Sequence, residues 1–151
     1  MWTPPKRFES AALEAAFLAD YCLRFAPHRR IAGILGFLIT TAYILWDYLY
    51  GAGDPEFAPV LGAVVWNRSV TAALILPYIA LSFTERFARD EAFAGRVIVV
   101  TLVVQFALYC RGFLLAPFPY DYMYFFMGMF ICQIYGFSMP RLRARESTLL
   151  M

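Results

Sequence analysis

Residues 31–50 read IAGILGFLITTAYILWDYLY. Apart from Thr40, Thr41 and Asp47 the stretch is apolar or aromatic. Twenty helical residues rise about 30 Å, the thickness of a hydrocarbon core, so the stretch predicts a membrane-spanning helix. Ala32, Gly36 and Thr40 recur at i, i+4 and i+8. They form a small-residue stripe that lets a neighbouring helix approach closely. Trp46, Tyr48 and Tyr50 suit the far membrane interface. On the near side His28-Arg29-Arg30 marks a cytoplasmic boundary, and the acidic, turn-rich residues 51–56 follow on the far side.

The same reading extends outward. Residues 8–25 predict an amphipathic helix: Leu13, Phe17 and Tyr21 recur every four residues, and Glu14, Asp20 and Arg24 take other faces. Such a helix is expected to lie on the membrane surface, with docking on a soluble partner as the alternative, and Pro27 is expected to end it. A second span is expected over residues 66–84, with residues 58–65 as an interfacial approach and Arg68 near the outer surface. The other register buries Arg68 in mid-bilayer, at a cost of several kcal/mol unless it is paired. Pro77 is a candidate kink. Residues 84–96 read as a charged loop and residues 97–115 as a third span containing Gln105 and Arg111. Pro117 and Pro119 bracket a tight turn. Residues 122–139 make a fourth span, with Gly128, Cys132 and Gly136 as a second small-residue stripe, before Pro140 and the basic run Arg141, Arg143, Arg145.

The fold class expected is therefore all-α: a polytopic transmembrane bundle of about four spans plus an N-terminal interfacial helix. Its divisions are a cytoplasmic tail and helix over 1–30, the bundle over 31–139 and a basic tail over 140–151. Composition agrees. The chain of 151 residues is 62% hydrophobic and only 16% charged, whereas soluble domains sit near half apolar and a quarter charged. Lysine and arginine collect before span one, between spans two and three, and after span four, with only Arg68 and Arg111 elsewhere. That asymmetry places both termini inside. Residues 147–151 read as the opening of a further apolar segment.

Several functions are excluded or disfavoured. A net charge of +2 is too small for a nucleic-acid partner. His28 is the only histidine, so a bis-histidine haem or a histidine-rich metal site cannot be built from this chain alone. Cys22, Cys110 and Cys132 are odd in number and widely spaced and read as packing residues. There is no P-loop, GxSxG, HExxH or CxxC, so neither an enzymatic role nor a cofactor is expected. Four ionisable residues remain in the outer half of the membrane: Asp47, Arg68, Arg111 and Asp121. Each is costly against lipid, and two acids balance two bases, so they are expected to converge as a paired network. That network is either plain helix-to-helix bracing or a polar pocket for a ligand. Gln105 is expected to make an interhelical hydrogen bond. The dense aromatics Tyr120, Tyr122, Tyr124, Phe125 and Phe126 read as an interface belt, or else as a flat surface for lipid, quinone or pigment.

The order of these features resembles a bacterial membrane-anchor family. The matching residues are Phe8-Glu9-x-x-x-Leu13-Glu14-x-x-Phe17, Arg29-Arg30-Ile31-x-Gly33-x-x-Gly36, Asp47, Asn67-Arg68, Phe83-x-x-Arg86-Phe87, Tyr122-x-Tyr124-x-x-Met127-Gly128 and Arg141-Leu142-Arg143. The family supplies the N-terminal six-helix membrane domain of class III adenylate/guanylate cyclases. The resemblance implies a membrane anchor or sensor in a bacterial inner membrane, with two further helices and a catalytic domain downstream. None of the cyclase's catalytic residues lies in this chain. The alternatives are a structural accessory subunit of a respiratory or photosynthetic complex, and a small transporter or channel lined by Arg68, Gln105 and Arg111. Under each, the partners are membrane lipids and other transmembrane helices.

Overall fold

A computed structural model of the chain describes residues 10–118, 120–122 and Gly128. Among them, four helices and one π-helical turn carry the fold, and there is no strand: α1 (Ala11–Trp46), a π turn (Asp47–Gly51), α2 (Leu61–Ser82), α3 (Glu85–Arg89) and α4 (Glu91–Leu115). Helices α1, α2 and α4 are each long and apolar enough to cross a membrane. The expected fourth span lies outside the described residues, apart from its first residue, Tyr122, and Gly128.

Packing within the chain leaves most of the apolar surface of these helices outside. Only 22%, 39% and 17% of the apolar stretches of α1, α2 and α4 are buried within the chain. Leu38, Ile39, Leu76, Val100 and Val103 face outward, an arrangement water would penalise by about 25 cal/mol per Å² of apolar surface. Polar side chains inside the spans are satisfied locally. Thr40, Thr41, Ser69, Thr71 and Thr101 each donate to the carbonyl four residues earlier, at 2.8–2.9 Å. A hydroxyl with no water to bond is thereby kept from standing unmade in hydrocarbon.

Helix α1 runs without a break through Pro27, so the expected stop there is corrected: from Ala11 on, the helix expected over 8–25 is continuous with the one expected over 31–50. Proline removes the bond to the carbonyl of Leu23, but tertiary contacts straddle the gap. Arg29 Nη1, beyond the proline, donates to Cys22 Sγ before it at 3.1 Å. The Cys22 thiol in turn donates to the carbonyl of Phe87 in α3 at 3.2 Å. Local propensity is overridden by a network that fixes both sides of the missing bond. Ser10 caps the helix start by accepting from the N–H of Leu13.

Two further boundaries move. The second helix begins at Leu61 rather than near residue 66, so the approach segment is largely helical. The charged loop over 84–96 is not a loop: Thr84 accepts from the N–H of Phe87 to start α3, and Asp90 accepts from the N–H of Phe93 to start α4. Both are side-chain N-caps of the kind that open helices. Pro77 lies within α2 without ending it.

The core is split into two clusters. Cys22, Tyr78, Phe87, Ala94 and Ile98 pack at the end where α1, α2, α3 and α4 meet. Phe57, Val64, Tyr109 and Ala116 pack at the other. Close approach of α1 and α2 depends on Gly33: a Cβ there would lie 2.5 Å from the Tyr78 ring. The expected stripe residues Ala32 and Thr40 are buried, and Gly36 is half-buried beside them. Gly128 lies near the Tyr109 ring, whereas Cys132 and Gly136 fall outside the described residues. Between the two clusters is a small cleft of about 40 Å³ lined by Gly33, Gly36, Thr101 and Gln105 among others.

Candidate functional site: buried ion pairs at the two ends of the bundle

At the end carrying the loop between α1 and α2, Arg68 of α2 donates through Nε to Asp47 Oδ2 at 2.5 Å. Both side chains are almost fully buried. Asp47 opens the π turn that finishes α1, and Arg68 lies two turns into α2. The guanidinium also sits over the Tyr43 ring, 4.9 Å from its centroid, a placement that favours the cation. Asn67 beside it donates to the carbonyl of Leu108 at 2.8 Å and so ties α2 to α4 at the same level. Its Oδ1 is buried without a hydrogen-bond partner among the described residues.

The four residues expected to converge do so only in part. Asp47 and Arg68 come together. Arg111 is exposed and belongs to neither buried pair, and Asp121 accepts from the N–H of Tyr122 at 2.7 Å. The physical reason is position: Arg111 lies near the C-terminus of α4 on an exposed face, apart from the buried pair. Gln105 lines the small mid-bundle cleft.

The loop beyond this pair is fastened separately. Asp54 accepts from the N–H groups of Glu56 and Phe57 at 2.8 and 3.1 Å, and the Tyr120 hydroxyl donates to its other oxygen. These bonds, the hydroxyl first, hold the Asp54 carboxyl below the usual carboxylate range. Phe57 packs on Tyr120 at 4.9 Å between centroids, and Gly51 leaves room for the Phe57 ring.

The opposite end holds a second buried pair that the charge pattern does not single out. Arg29 of α1 donates through Nη2 to both carboxylate oxygens of Glu91, at 2.9 and 3.0 Å. The side chains are 0% and 5% exposed, so this is a desolvated pair. Nη1 reaches Cys22, and the backbone carbonyl of Arg29 accepts from the Tyr78 hydroxyl at 2.8 Å. Four helices therefore meet on one residue: α1 owns it, α4 supplies the acid, α2 the tyrosine, and α3 the carbonyl that holds the cysteine. Next to it Arg30 donates to the carbonyl of Ser82 at 2.9 Å and covers the Phe83 ring, which closes the exposed end of α2.

The axial spacing of the two ends is a ruler. Along α1, Arg29 to Asp47 is 18 residues, about 27 Å at 1.5 Å per residue. Along α4, Glu91 to Leu108 is about 26 Å, and along α2, Arg68 to Ser82 is about 21 Å. The first two fall just short of a hydrocarbon core of roughly 30 Å, a difference long arginine side chains can span, and the third is shorter still. Among the described residues no group of three or more histidine, cysteine or acidic side chains could hold a metal ion. No family model, curated protein or solved structure matches the chain.

Proposed function

We propose that the chain is a non-catalytic membrane anchor and sensor module, similar to the N-terminal membrane domain of a class III cyclase. In this reading it is a four-span bundle in a bacterial inner membrane, with both termini in the cytoplasm. The membrane lies between the two buried ion pairs, Arg29–Glu91 inside and Asp47–Arg68 outside. Two features support that placement: the spacing of the pairs, and the gathering of Arg24, Arg30, Arg86, Arg89 and Arg96 around the first of them.

The observation that carries the anchor reading is the unbroken α1. It leaves the membrane at Arg29 and continues for 18 residues, about 27 Å. Because Arg29 and Cys22 together tie α1 to α2, α3 and α4, a shift of those helices is passed to the N-terminal part of α1 as a rigid rotation rather than absorbed at Pro27. A sensor needs such a stiff element between its membrane part and the cytoplasm.

A second reading, a structural accessory subunit of a larger membrane complex, is favoured by one other observation. Large apolar side chains near the outer end, Trp66, Leu114 and Phe118, are 66%, 81% and 77% exposed and offer a face to neighbouring helices. The intact mass of the polypeptide purified from its native membrane separates the two. A mass well above 17.3 kDa is expected for an anchor that carries a downstream output domain. A mass of 17.3 kDa, with co-purification in fixed stoichiometry with a large complex, would overturn the anchor reading in favour of the subunit.

A further inference from the structure

A groove of about 510 Å³ runs between α2 and α4 on the side of the bundle away from α1. Its walls are hydrocarbon, with Pro77 and Leu81 on α2 and Val97 and Val100 on α4. It follows α2 from Leu74 to Leu81, about 10 Å along the axis. Two cations, Arg86 and Arg96, close one end. An apolar channel within the membrane segments that ends on paired arginines has the amphiphilic pattern of a lipid: acyl chain along the walls, anionic head group at the charged end.

The arginines are held for such a role. Arg96 donates through Nε to the carbonyl of Ala92 at 3.0 Å, so its side chain runs back toward the start of α4 rather than into the spans. Arg86 lies over the Phe93 ring, 4.5 Å from the centroid, and its nearest acid contact is Nε to Asp90 at 3.8 Å. Both are thus held through Nε or the ring face, and both guanidinium groups, forks of the kind that grip a phosphate, belong to residues that line the groove. Of the nearby acids, Asp90 accepts from the N–H of Phe93 through Oδ1 and keeps only the 3.8 Å contact to Arg86 through Oδ2, Glu85 is paired with Arg89, and Glu91 is bound to Arg29.

We infer that this groove is a binding site for an anionic phospholipid, with the acyl chain against Pro77, Leu81, Val97 and Val100 and the head-group phosphate between Arg86 and Arg96. The inference needs the helices to cross a membrane but is independent of whether the chain is an anchor or a subunit.

The test is native mass spectrometry of the full chain in a neutral detergent, titrated with phosphatidylglycerol, with phosphatidylcholine and with inorganic phosphate. One phosphatidylglycerol is expected to bind more tightly than phosphatidylcholine. The double substitution Arg86→Gln/Arg96→Gln is expected to weaken it roughly thirtyfold, the sum of two arginines near a lipid surface. Val100→Trp, which fills the groove and keeps both cations, is expected to weaken it as well. The control Arg24→Gln/Arg89→Gln removes the same charge elsewhere and is expected to leave binding within about twofold of wild type. Equal binding of the two lipids would overturn the site. So would an equal loss in the control, which would mean diffuse attraction. Phosphate binding as tight as the lipid, insensitive to Val100→Trp, would also overturn it, because the acyl groove would then contribute nothing.

Discussion

Replacing Arg29 with alanine is expected to destabilise the protein by about 3–5 kcal/mol, the range for removing one partner of a buried ion pair. The substitution leaves Glu91, 6% exposed, without its countercharge, so the acid must take up a proton or draw in water. It also removes the bond to Cys22 that bridges Pro27. Two readouts therefore move together. The unfolding midpoint in a detergent titration falls, and amide exchange rises through residues 11–26, where the helix is no longer pinned across its missing hydrogen bond. The double substitution Arg29→Met/Glu91→Leu separates charge burial from packing. It removes both charges at similar volume and is expected to recover most of the lost stability, while exchange in residues 11–26 stays raised because the cysteine bridge is still gone. A loss under about 1 kcal/mol for Arg29→Ala, the size of an exposed pair, would mean that Arg29 and Glu91 are not a desolvated pair.

The second large effect is expected at the other end. Arg68→Ala and Asp47→Ala should each cost about 3–5 kcal/mol, and the double should cost far less than their sum. The coupling energy is expected in the range of about 1–3 kcal/mol. Arg68→Lys is expected to rescue little. Lysine keeps the charge but lacks the planar group that bonds Asp47 through Nε and lies over Tyr43. Independent, additive effects of the two alanine substitutions would show that the pair does not form.

The two ion pairs differ in how far the sequence reveals them, and the difference is physical. Asp47 and Arg68 are isolated charges inside apolar runs, where the expense of leaving either alone points to a partner of opposite sign. Arg29 and Glu91 sit in segments rich in charge, beside Arg24, Arg30, Glu85, Arg86, Arg89 and Asp90. No local rule says which of these turns inward; only the packing of α1, α3 and α4 selects them. Arg111 is the converse case: a lone charge near the end of α4, it lies exposed and apart from the Asp47–Arg68 pair.

Backbone features follow the same division. The three long apolar helices are legible because about twenty apolar residues leave few alternatives. Pro27 is misleading because proline's effect is local, whereas the bonds that carry the helix past it join residues as distant as Cys22 and Phe87. The caps at Thr84 and Asp90 are present in the sequence as ordinary capping residues, but the density of charge around them reads as loop. The i, i+4 spacing selects Ala32, Gly36 and Thr40, yet the closest contact between helices falls on Gly33, because the Tyr78 ring, not the spacing, decides where a Cβ cannot be.

In the proposed arrangement the membrane lies between the two ion pairs and α1 leaves it at Arg29. The direct measurement is a depth scan of α1 by spin labelling in liposomes, on a background with Cys22, Cys110 and Cys132 replaced by serine. Labels at Ala15, Ile39 and Tyr50 would be compared for collision with oxygen, which partitions into hydrocarbon, and with a water-soluble nickel chelate. The expected result is high oxygen and low nickel accessibility at Ile39, with the reverse at Ala15 and Tyr50. An Ala15 label as deep as the one at Ile39, or an Ile39 label open to nickel, would contradict that arrangement.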